Sequence, residues 1–194
     1  MNTTHLLYFH GFRSSPRSFK AQRMEAAVRA RNPAVTWWCP QLPPSPAAAM
    51  RMVRQGTDAW PTQGMAVVGS SLGGFYATWL AEQHGLKAVL VNPAIDPHVG
   101  LRAYLGPQSN LHTGEPYELT EEHLREWRAL YVPRITPQRY LLIVETGDEV
   151  LDYRRAVERY AGAEQVVIPG GDHSLQSFPQ HLARILEFSR APSL

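Results

Sequence analysis

M-A-V-V-G-S-S-L-G-G-F-Y, residues 65–76, contains a strand, a sharp turn and the start of a helix within twelve residues. Residues 65–68 form a short apolar run with two valines, which is typical of a buried strand. Residues 74–80 are rich in alanine, aromatic residues and leucine and predict a helix. The two elements are joined by Gly69-Ser70-Ser71-Leu72-Gly73. A strand that passes so abruptly into a helix indicates a layered arrangement of helices on a sheet.

The turn has the pattern G-x-S-x-G of a nucleophile elbow, which holds the hydroxyl of Ser71 exposed above the sheet. A Cβ atom at Gly69 or Gly73 would collide where strand and helix pass closely. The helix begins beneath Ser71, where free backbone N–H groups stabilise an oxyanion. Ser70 is the neighbour and not the expected nucleophile, because it does not occupy the serine position of the G-x-S-x-G pattern that Gly69 and Gly73 define. The pattern also fits an ordinary glycine-rich turn of a phosphate or dinucleotide site, so the elbow reading requires a base, an acid and a second N–H donor elsewhere.

Length and composition indicate one ordinary globular domain. The chain has 194 residues, of which 44% are hydrophobic and 19% charged, and its net charge of +2 is too small to favour nucleic acid. The single Cys39 excludes an internal disulfide and fits a reducing compartment. No apolar run reaches the length of a membrane span, and the N-terminus has no signal-peptide pattern. We therefore expect a cytoplasmic protein without a membrane span, and the oligomeric state stays open.

Six runs that are apolar nearly throughout alternate with helical patterns. The predicted strands are 5–9, 35–39, 65–68, 87–92, 139–146 and 164–168. The predicted helices are 18–31, 47–57, 74–84, 152–160 and 175–190, the first with Phe19, Met24, Ala27 and Val28 as its apolar stripe. Such alternation indicates an α/β fold, with a mostly parallel sheet and helices on both faces.

One irregular region, about 95–138, interrupts the alternation. We expect it to be a small helical cap inserted in a single domain, 1–194, and to lie over the sheet edge above Ser71. Its parts are a polar loop at 106–118 and a helix from 120 to about 130. Its large apolar side chains suggest either an acyl pocket or the cap's own core; they are Leu101, Tyr104, Leu105, Trp127 and Leu130.

The second oxyanion donor is expected at the end of the first strand. His10-Gly11-Phe12 follows that strand directly, so the backbone N–H of Phe12 would face the carbonyl oxygen of a bound ester. Leu72, the residue after Ser71, would supply the other N–H. Taken alone, His10 fits a structural histidine that closes a strand better than an oxyanion-loop residue, because His-Gly is a common dipeptide. Its place before an elbow favours the oxyanion-loop role.

The base is expected in Gly170-Gly171-Asp172-His173-Ser174, between the last strand and the last helix. Hydrolases with such an elbow order the three residues Ser, acid, His along the chain, and His173 fits this order. The remaining histidines lie in or before a strand, at helix ends or in the insertion; they are His5, His84, His98, His112, His123 and His181.

The acid is expected to be Asp148, in a tight turn after the fifth strand. Its carboxylate would accept the Nδ1–H of His173 and stabilise the imidazolium. Asp152 is expected to cap the next helix, and Asp172 is too near in sequence to bond the ring of His173. Asp96, after the fourth strand, remains the alternative acid, because some hydrolases take their acid from that position.

Together these motifs resemble those of the YqiA-like esterases, a family of small bacterial α/β hydrolases. The matching segments are H-G-F, G-S-S-L-G-G-F-Y, V-N-P-A, T-G-E-x-Y-E-L-T-x-E-H, T-G-D-E-V-L-D-Y and G-G-D-H-S, spread from about 6 to 188. The resemblance implies an α/β-hydrolase fold with sheet order 2-1-3-4-5-6, and an esterase acting on acyl esters or thioesters. It also implies Ser71, Asp148 and His173 as the triad and 117–123 as a cap-helix motif. The stretch 106–112 matches least well.

The predicted reaction is acyl transfer to water through an acyl-enzyme on Ser71. It requires no metal or organic cofactor, and no H-E-x-x-H or C-x-x-C occurs. Its partner would be a small-molecule acyl ester. Two alternatives stay open: a thioesterase, amidase or acyltransferase with the same triad, and a hydrolase fold that serves only for binding.

Overall fold

A computed structural model describes residues 3–190, so the first two and last four residues of the expected 1–194 domain lie outside the described part. Its centre is a six-stranded sheet in the order β2-β1-β3-β4-β7-β8, in which every neighbouring pair is parallel. The strands are β1 His5–Phe9, β2 Thr36–Trp38, β3 Met65–Ser70, β4 Lys87–Val91, β7 Tyr140–Glu145 and β8 Glu164–Ile168. This confirms the predicted order 2-1-3-4-5-6.

The four inner strands are apolar except at residues at their ends, because both of their faces are covered. Alternate residues point to opposite faces, so Leu7 and Phe9 join one core cluster while Leu6 and Tyr8 join the other. The first face is covered by α2 Pro46–Thr57, α3 Leu72–His84 and α6 Tyr153–Arg159, and the second by α1 Phe19–Arg31 and α7 Phe178–Phe188. The predicted helices on both faces are therefore confirmed.

Between β4 and β7 lies the insertion, residues 95–138. It consists of a one-turn helix α4, Pro97–Gly100, a hairpin of β5 Gly106–Ser109 and β6 Pro116–Leu119, and a helix α5, Glu121–Ala129. The expected polar loop at 106–118 is wrong, since most of it is this antiparallel hairpin. The hairpin turn is stabilised by Asn110, whose Oδ1 accepts the N–H groups of His112 and Thr113 at 2.8 and 3.0 Å.

The expected helix at 120–130 agrees with α5. At its N-terminus, His123 Nδ1 accepts the backbone N–H of Thr120 at 2.9 Å, which satisfies a donor that the helix leaves free.

In α1, by contrast, Phe19 does not join the predicted apolar stripe. It is 49% exposed, and Ala21 packs in the core with Met24 and Val28. No helix within residues 3–190 has the length and apolar character needed to cross a membrane.

Candidate active site

Ser71 lies at the turn between β3 and α3, in a backbone conformation that side chains rarely adopt. Its φ and ψ are 56° and −122°. Two hydrogen bonds to the end of β4 and the residues after it hold the turn: Ser71 N–H donates to Val91 O, and Ala94 N–H donates to Ser71 O, both at 3.0 Å. Strained non-glycine residues persist only where the surroundings fix them. The turn therefore presents one hydroxyl in a fixed position at the carboxyl end of the sheet.

Three glycines permit the close approach that this turn requires. A Cβ at Gly69 would lie 2.2 Å from Gly73 O, and one at Gly73 would lie 2.0 Å from Phe9 O. Gly69 thus lets β3 pass α3, whereas Gly73 lets α3 pass the end of β1. At Gly11 an added Cβ would lie 3.3 Å from Ser71 Cβ, so the loop after β1 lies directly against the serine.

His173 reaches Ser71 from the loop between β8 and α7. Its Nε2 lies 3.0 Å from Ser71 Oγ, and its Nδ1 lies 2.8 Å from Asp148 Oδ2. Because a carboxylate only accepts, Nδ1 carries the proton and Nε2 accepts from the serine hydroxyl. The structure thus brings three sequence-predicted residues into one chain of hydrogen bonds.

The Asp148 carboxylate is buried and nearly saturated with donors. Its side chain is 1% exposed, and Oδ1 accepts the N–H groups of Val150 and Leu151 at 2.9 and 2.8 Å. Burial opposes the charged form, but the hydrogen bond from His173 and the two N–H groups outweigh it and lower the pKa of Asp148. The carboxylate is therefore held as an anion against the imidazole.

The other aspartates considered as the acid have different partners. Asp96 forms an ion pair with Arg155 on α6. Asp152 caps α6 by accepting the N–H of Arg154 at 3.0 Å, as expected. Asp172 Oδ2 accepts from Gln176 Nε2 at 2.7 Å. Of the four aspartates, Asp148 is the one whose carboxylate the structure places on His173.

Of the predicted oxyanion donors, Leu72 directly follows Ser71, and Phe12 follows Gly11, whose backbone lies against Ser71. Leu72 is the first residue of α3, so its N–H has no partner inside the helix. Within residues 3–190 neither of the two N–H groups donates to another backbone or side-chain atom. Two backbone donors next to a fixed hydroxyl can bind a developing oxyanion.

His10 anchors the loop of residues 10–12 by hydrogen bonds at both nitrogens of its ring. It is 4% exposed, and its Nε2 accepts the N–H of Leu42 at 3.2 Å. The proton therefore sits on Nδ1, which donates to Gly11 O at 3.0 Å. Burial lowers the pKa of His10, which favours the neutral ring. His10 thus links the loop 10–12 to the segment after β2 and does not face Ser71 Oγ.

A cleft of about 930 Å³ opens over Ser71 and His173. Leu101 and Tyr104 of the insertion line it, together with Phe12 and Leu72. Four of its apolar side chains are exposed to solvent; they are Phe19, Tyr104, Leu111 and Val150. The cleft therefore offers an apolar surface beside the hydroxyl.

Trp127, one of the side chains suggested for either the pocket or the cap's own core, does not line this cleft. It is buried in the core, donates its Nε1–H to Tyr76 OH at 2.8 Å, and borders a neighbouring cavity of about 280 Å³. Lys20, which the sequence did not single out, does line the cleft. Its Nζ donates to Ser174 O at 2.7 Å, and burial lowers its pKa to about 8 against the opposing effect of nearby carboxylates.

Two further polar residues next to the site, Asn92 and Glu145, also escaped the sequence analysis. Asn92 lies in the segment V-N-P-A, to which the sequence analysis assigned no chemical role, and Glu145 ends an apolar strand. In the part of the chain that the structure describes, no cluster of three or more His, Cys, Asp or Glu side chains could hold a metal ion.

Comparison with known proteins gives one family and many solved structures. Residues 5–190 match the model of the Uncharacterised protein family (UPF0227). The alpha/beta hydrolase domain-containing protein 10 from mouse superposes with a TM-score of 0.71 at 15% identity, covering 96% of this chain and 90% of that one. The esterase domain of a Rhodothermus marinus protein gives 0.70 at 15% identity, covering 97% and 88%. Est1E from Butyrivibrio proteoclasticus gives 0.66 at 14% identity, covering 96% and 85%. These likenesses show the α/β-hydrolase fold.

Proposed function

The chain belongs to the UPF0227 family, the YqiA-like family, and on that premise we propose that it is a serine esterase that hydrolyses acyl esters. One observation carries the proposal: Ser71 Oγ, His173 and Asp148 form a continuous chain of hydrogen bonds, 3.0 and 2.8 Å long, at the floor of an open cleft. A hydroxyl bonded to an imidazole that a buried carboxylate orients is the arrangement of an activated nucleophile.

In the first half of the reaction, Ser71 Oγ attacks the ester carbonyl while His173 Nε2 takes its proton. The carbonyl oxygen becomes an oxyanion, which the N–H groups of Phe12 and Leu72 stabilise. Asp148 stabilises the imidazolium through Nδ1 and stays ionised. When the tetrahedral intermediate collapses, Nε2 gives its proton to the leaving alcohol, and the acyl group remains on Ser71.

In the second half, water repeats the attack on the acyl-enzyme. His173 removes the proton of the water, the same two N–H groups hold the second oxyanion, and the proton returns to Ser71 as the acid departs. All proton transfers use the imidazole, so the reaction requires no cofactor. The exposed apolar side chains at the cleft fit an acyl group lying beside Ser71.

Intact mass after treatment with a fluorophosphonate tests the activated serine without any assumption about substrate. We expect one adduct on the wild type and on Ser70→Ala, and none on Ser71→Ala. Ser70 is the matched control because it is the adjacent serine and its side chain is not part of the hydrogen-bond chain. If the folded wild-type protein forms no adduct, the alternative of a hydrolase fold that serves only for binding is favoured instead.

Turnover of matched ester, thioester and anilide substrates then separates the esterase from the other acyl-transfer activities. Ser71→Ala or His173→Ala should lower kcat on the order of 10⁴-fold or more. Asp148→Asn should lower it less, and Asp96→Asn should leave it close to wild type. Intact activity in Asp148→Asn with loss in Asp96→Asn would contradict the choice of acid.

A further inference from the structure

The segment Val91-Asn92-Pro93-Ala94, at the carboxyl end of β4, contacts both the turn that carries Ser71 and the loop that carries His173. Val91 O and Ala94 N–H bond the backbone of Ser71, each at 3.0 Å. An added Cβ at Gly74 would lie 2.5 Å from Pro93 Cβ, so the first turn of α3 also rests on this segment. The segment therefore fixes the position of the serine turn from the side of β4.

The side chain of Asn92, between those two contacts, bonds the loop that carries His173. Its Nδ2 donates to the carbonyl oxygens of Asp172 and His173, at 3.1 and 3.2 Å. Its Oδ1 accepts the N–H of Glu145 at 3.0 Å. Asn92 is 2% exposed and has a φ of 41°, a conformation that asparagine tolerates better than most residues.

Glu145, the last residue of β7, bonds the same loop from its other side. Its Oε2 accepts the N–H of Asp172 at 2.9 Å and its Oε1 accepts the hydroxyl of Ser177 at 2.5 Å. The carboxylate also packs against Gly171, where an added Cβ would lie 2.1 Å from Oε2. A carboxyl group that is 2% exposed has lost its contacts with water and destabilises the fold unless hydrogen bonds replace them. The loop supplies those bonds.

The loop needs such anchors because its own sequence is permissive. Gly170 and Gly171 both have positive φ, 73° and 76°, and glycine enters that region as readily as the usual one. The bond from His173 to Asp148 orients the ring but does not fix the backbone that carries it. Asn92 and Glu145 bond the backbone of Asp172 and His173 directly.

We propose that Asn92 and Glu145 are positioning residues that set the distance between Ser71 Oγ and His173 Nε2. The segment 91–94 holds the serine turn by its backbone and the histidine loop by one side chain, so both reacting groups share one support. Glu145 completes the support from β7. The inference rests on the proposed function for its effect on turnover, whereas the positions of the groups are testable without it.

Two variants at position 92 separate the amide donor from other effects. Asn92→Asp keeps the Oδ1 acceptor and replaces the donor, and Asn92→Gly removes the side chain while keeping the positive φ accessible. Because a displacement of about 1 Å in a reacting group lowers rates on the order of 100-fold, we expect kcat to fall about 10- to 100-fold in both, with KM changing less than about 3-fold. Glu145→Gln, which retains one acceptor, should be less impaired than Glu145→Ala.

Thr78→Val is the matched control for loss of stability. Thr78 is buried on α3, bonds Gly74 O at 2.8 Å and Tyr160 OH at 2.6 Å, and does not line the cleft. We expect it to lower the unfolding midpoint without lowering kcat. A kcat loss in Thr78→Val equal to that of the Asn92 variants, or unchanged kcat in both Asn92 variants, would overturn the proposal.

The proton NMR signal of His173 Nδ1–H supplies a readout that does not depend on turnover. In the wild type the bond to Asp148 should give a resolved downfield signal, and in Asn92→Gly we expect it to broaden or disappear. If the wild type failed to react with a fluorophosphonate, the proposed function would fall, while this signal would still decide the positioning. An unchanged signal in Asn92→Gly would refute it.

Discussion

The strained backbone of Ser71 has a measurable consequence for stability. At φ 56° and ψ −122°, a residue with a Cβ carries roughly 1–3 kcal/mol of strain. Glycine removes this strain but gains unfolded-state freedom that offsets about 0.4–1 kcal/mol. Ser71→Gly should therefore be more stable than Ser71→Ala by about 1 kcal/mol, or roughly 2–4 °C in Tm for a chain of this size.

Comparing the two variants isolates the strain, since both lack the hydroxyl and its bond to His173. The assay is urea denaturation of Ser71→Ala and Ser71→Gly, followed by circular dichroism, with equal m-values as the condition for comparison. Gly100→Ala serves as the reference exchange, because an added Cβ there meets nothing within 4 Å and φ is −64°. If Ser71→Gly proves less stable than Ser71→Ala, the turn is not strained.

Three further predictions concern pH, packing and the cleft. Because the folded-state pKa of Asp148 is lowered, its charge stabilises the fold above the unfolded value of about 4 and this contribution is lost as pH falls below it; urea midpoints should therefore drop more steeply toward pH 3 in the wild type than in Asp148→Asn. In Gly69→Ala the new Cβ would lie 2.2 Å from Gly73 O, so we expect the free energy of unfolding, measured by heat or urea, to fall by on the order of 3 kcal/mol. A fall no larger than that of Gly100→Ala, where an added Cβ meets nothing within 4 Å, would contradict this close contact. Tyr104→Ala should lower kcat/KM for acyl esters roughly 5-fold, about 1 kcal/mol of apolar contact, whereas Met52→Ala, equally exposed but outside the cleft, should not.

The inner sheet could be predicted from the sequence because burial on both faces leaves a simple signal. β4 and β7 are buried at nearly every position, so they appear as continuous apolar runs between breakers. The hairpin of β5 and β6 has no such signal. Its strands, G-P-Q-S and P-Y-E-L, contain two prolines and no apolar run, and the hairpin depends on the Asn110 turn and on the burial of Leu119.

The residues around the Ser71 hydroxyl also include some that the sequence could predict and some that it could not. Ser71, Asp148 and His173 each follow a predicted strand within a turn motif, which is why the sequence could nominate them, although their roles remain predictions. Asn92 and Glu145 belong to no motif with a known chemistry, and their bonds join segments distant in sequence. For Trp127, apolar character alone leaves both the pocket and the cap's own core open, and its indole N–H has a buried partner that only the folded chain provides.

The order of the strands makes the site a late product of folding. Ser71 and His173 are 102 residues apart, and they follow β3 and β8, which are separated in the sheet by β4 and β7. Contacts between distant segments of a parallel sheet form slowly, because the intervening chain must be closed first. Within the described residues 3–190, β8 pairs only with β7, at the edge of the sheet. Under the proposed function, we therefore expect fluorophosphonate reactivity of Ser71 during refolding to appear only when the last strand has docked.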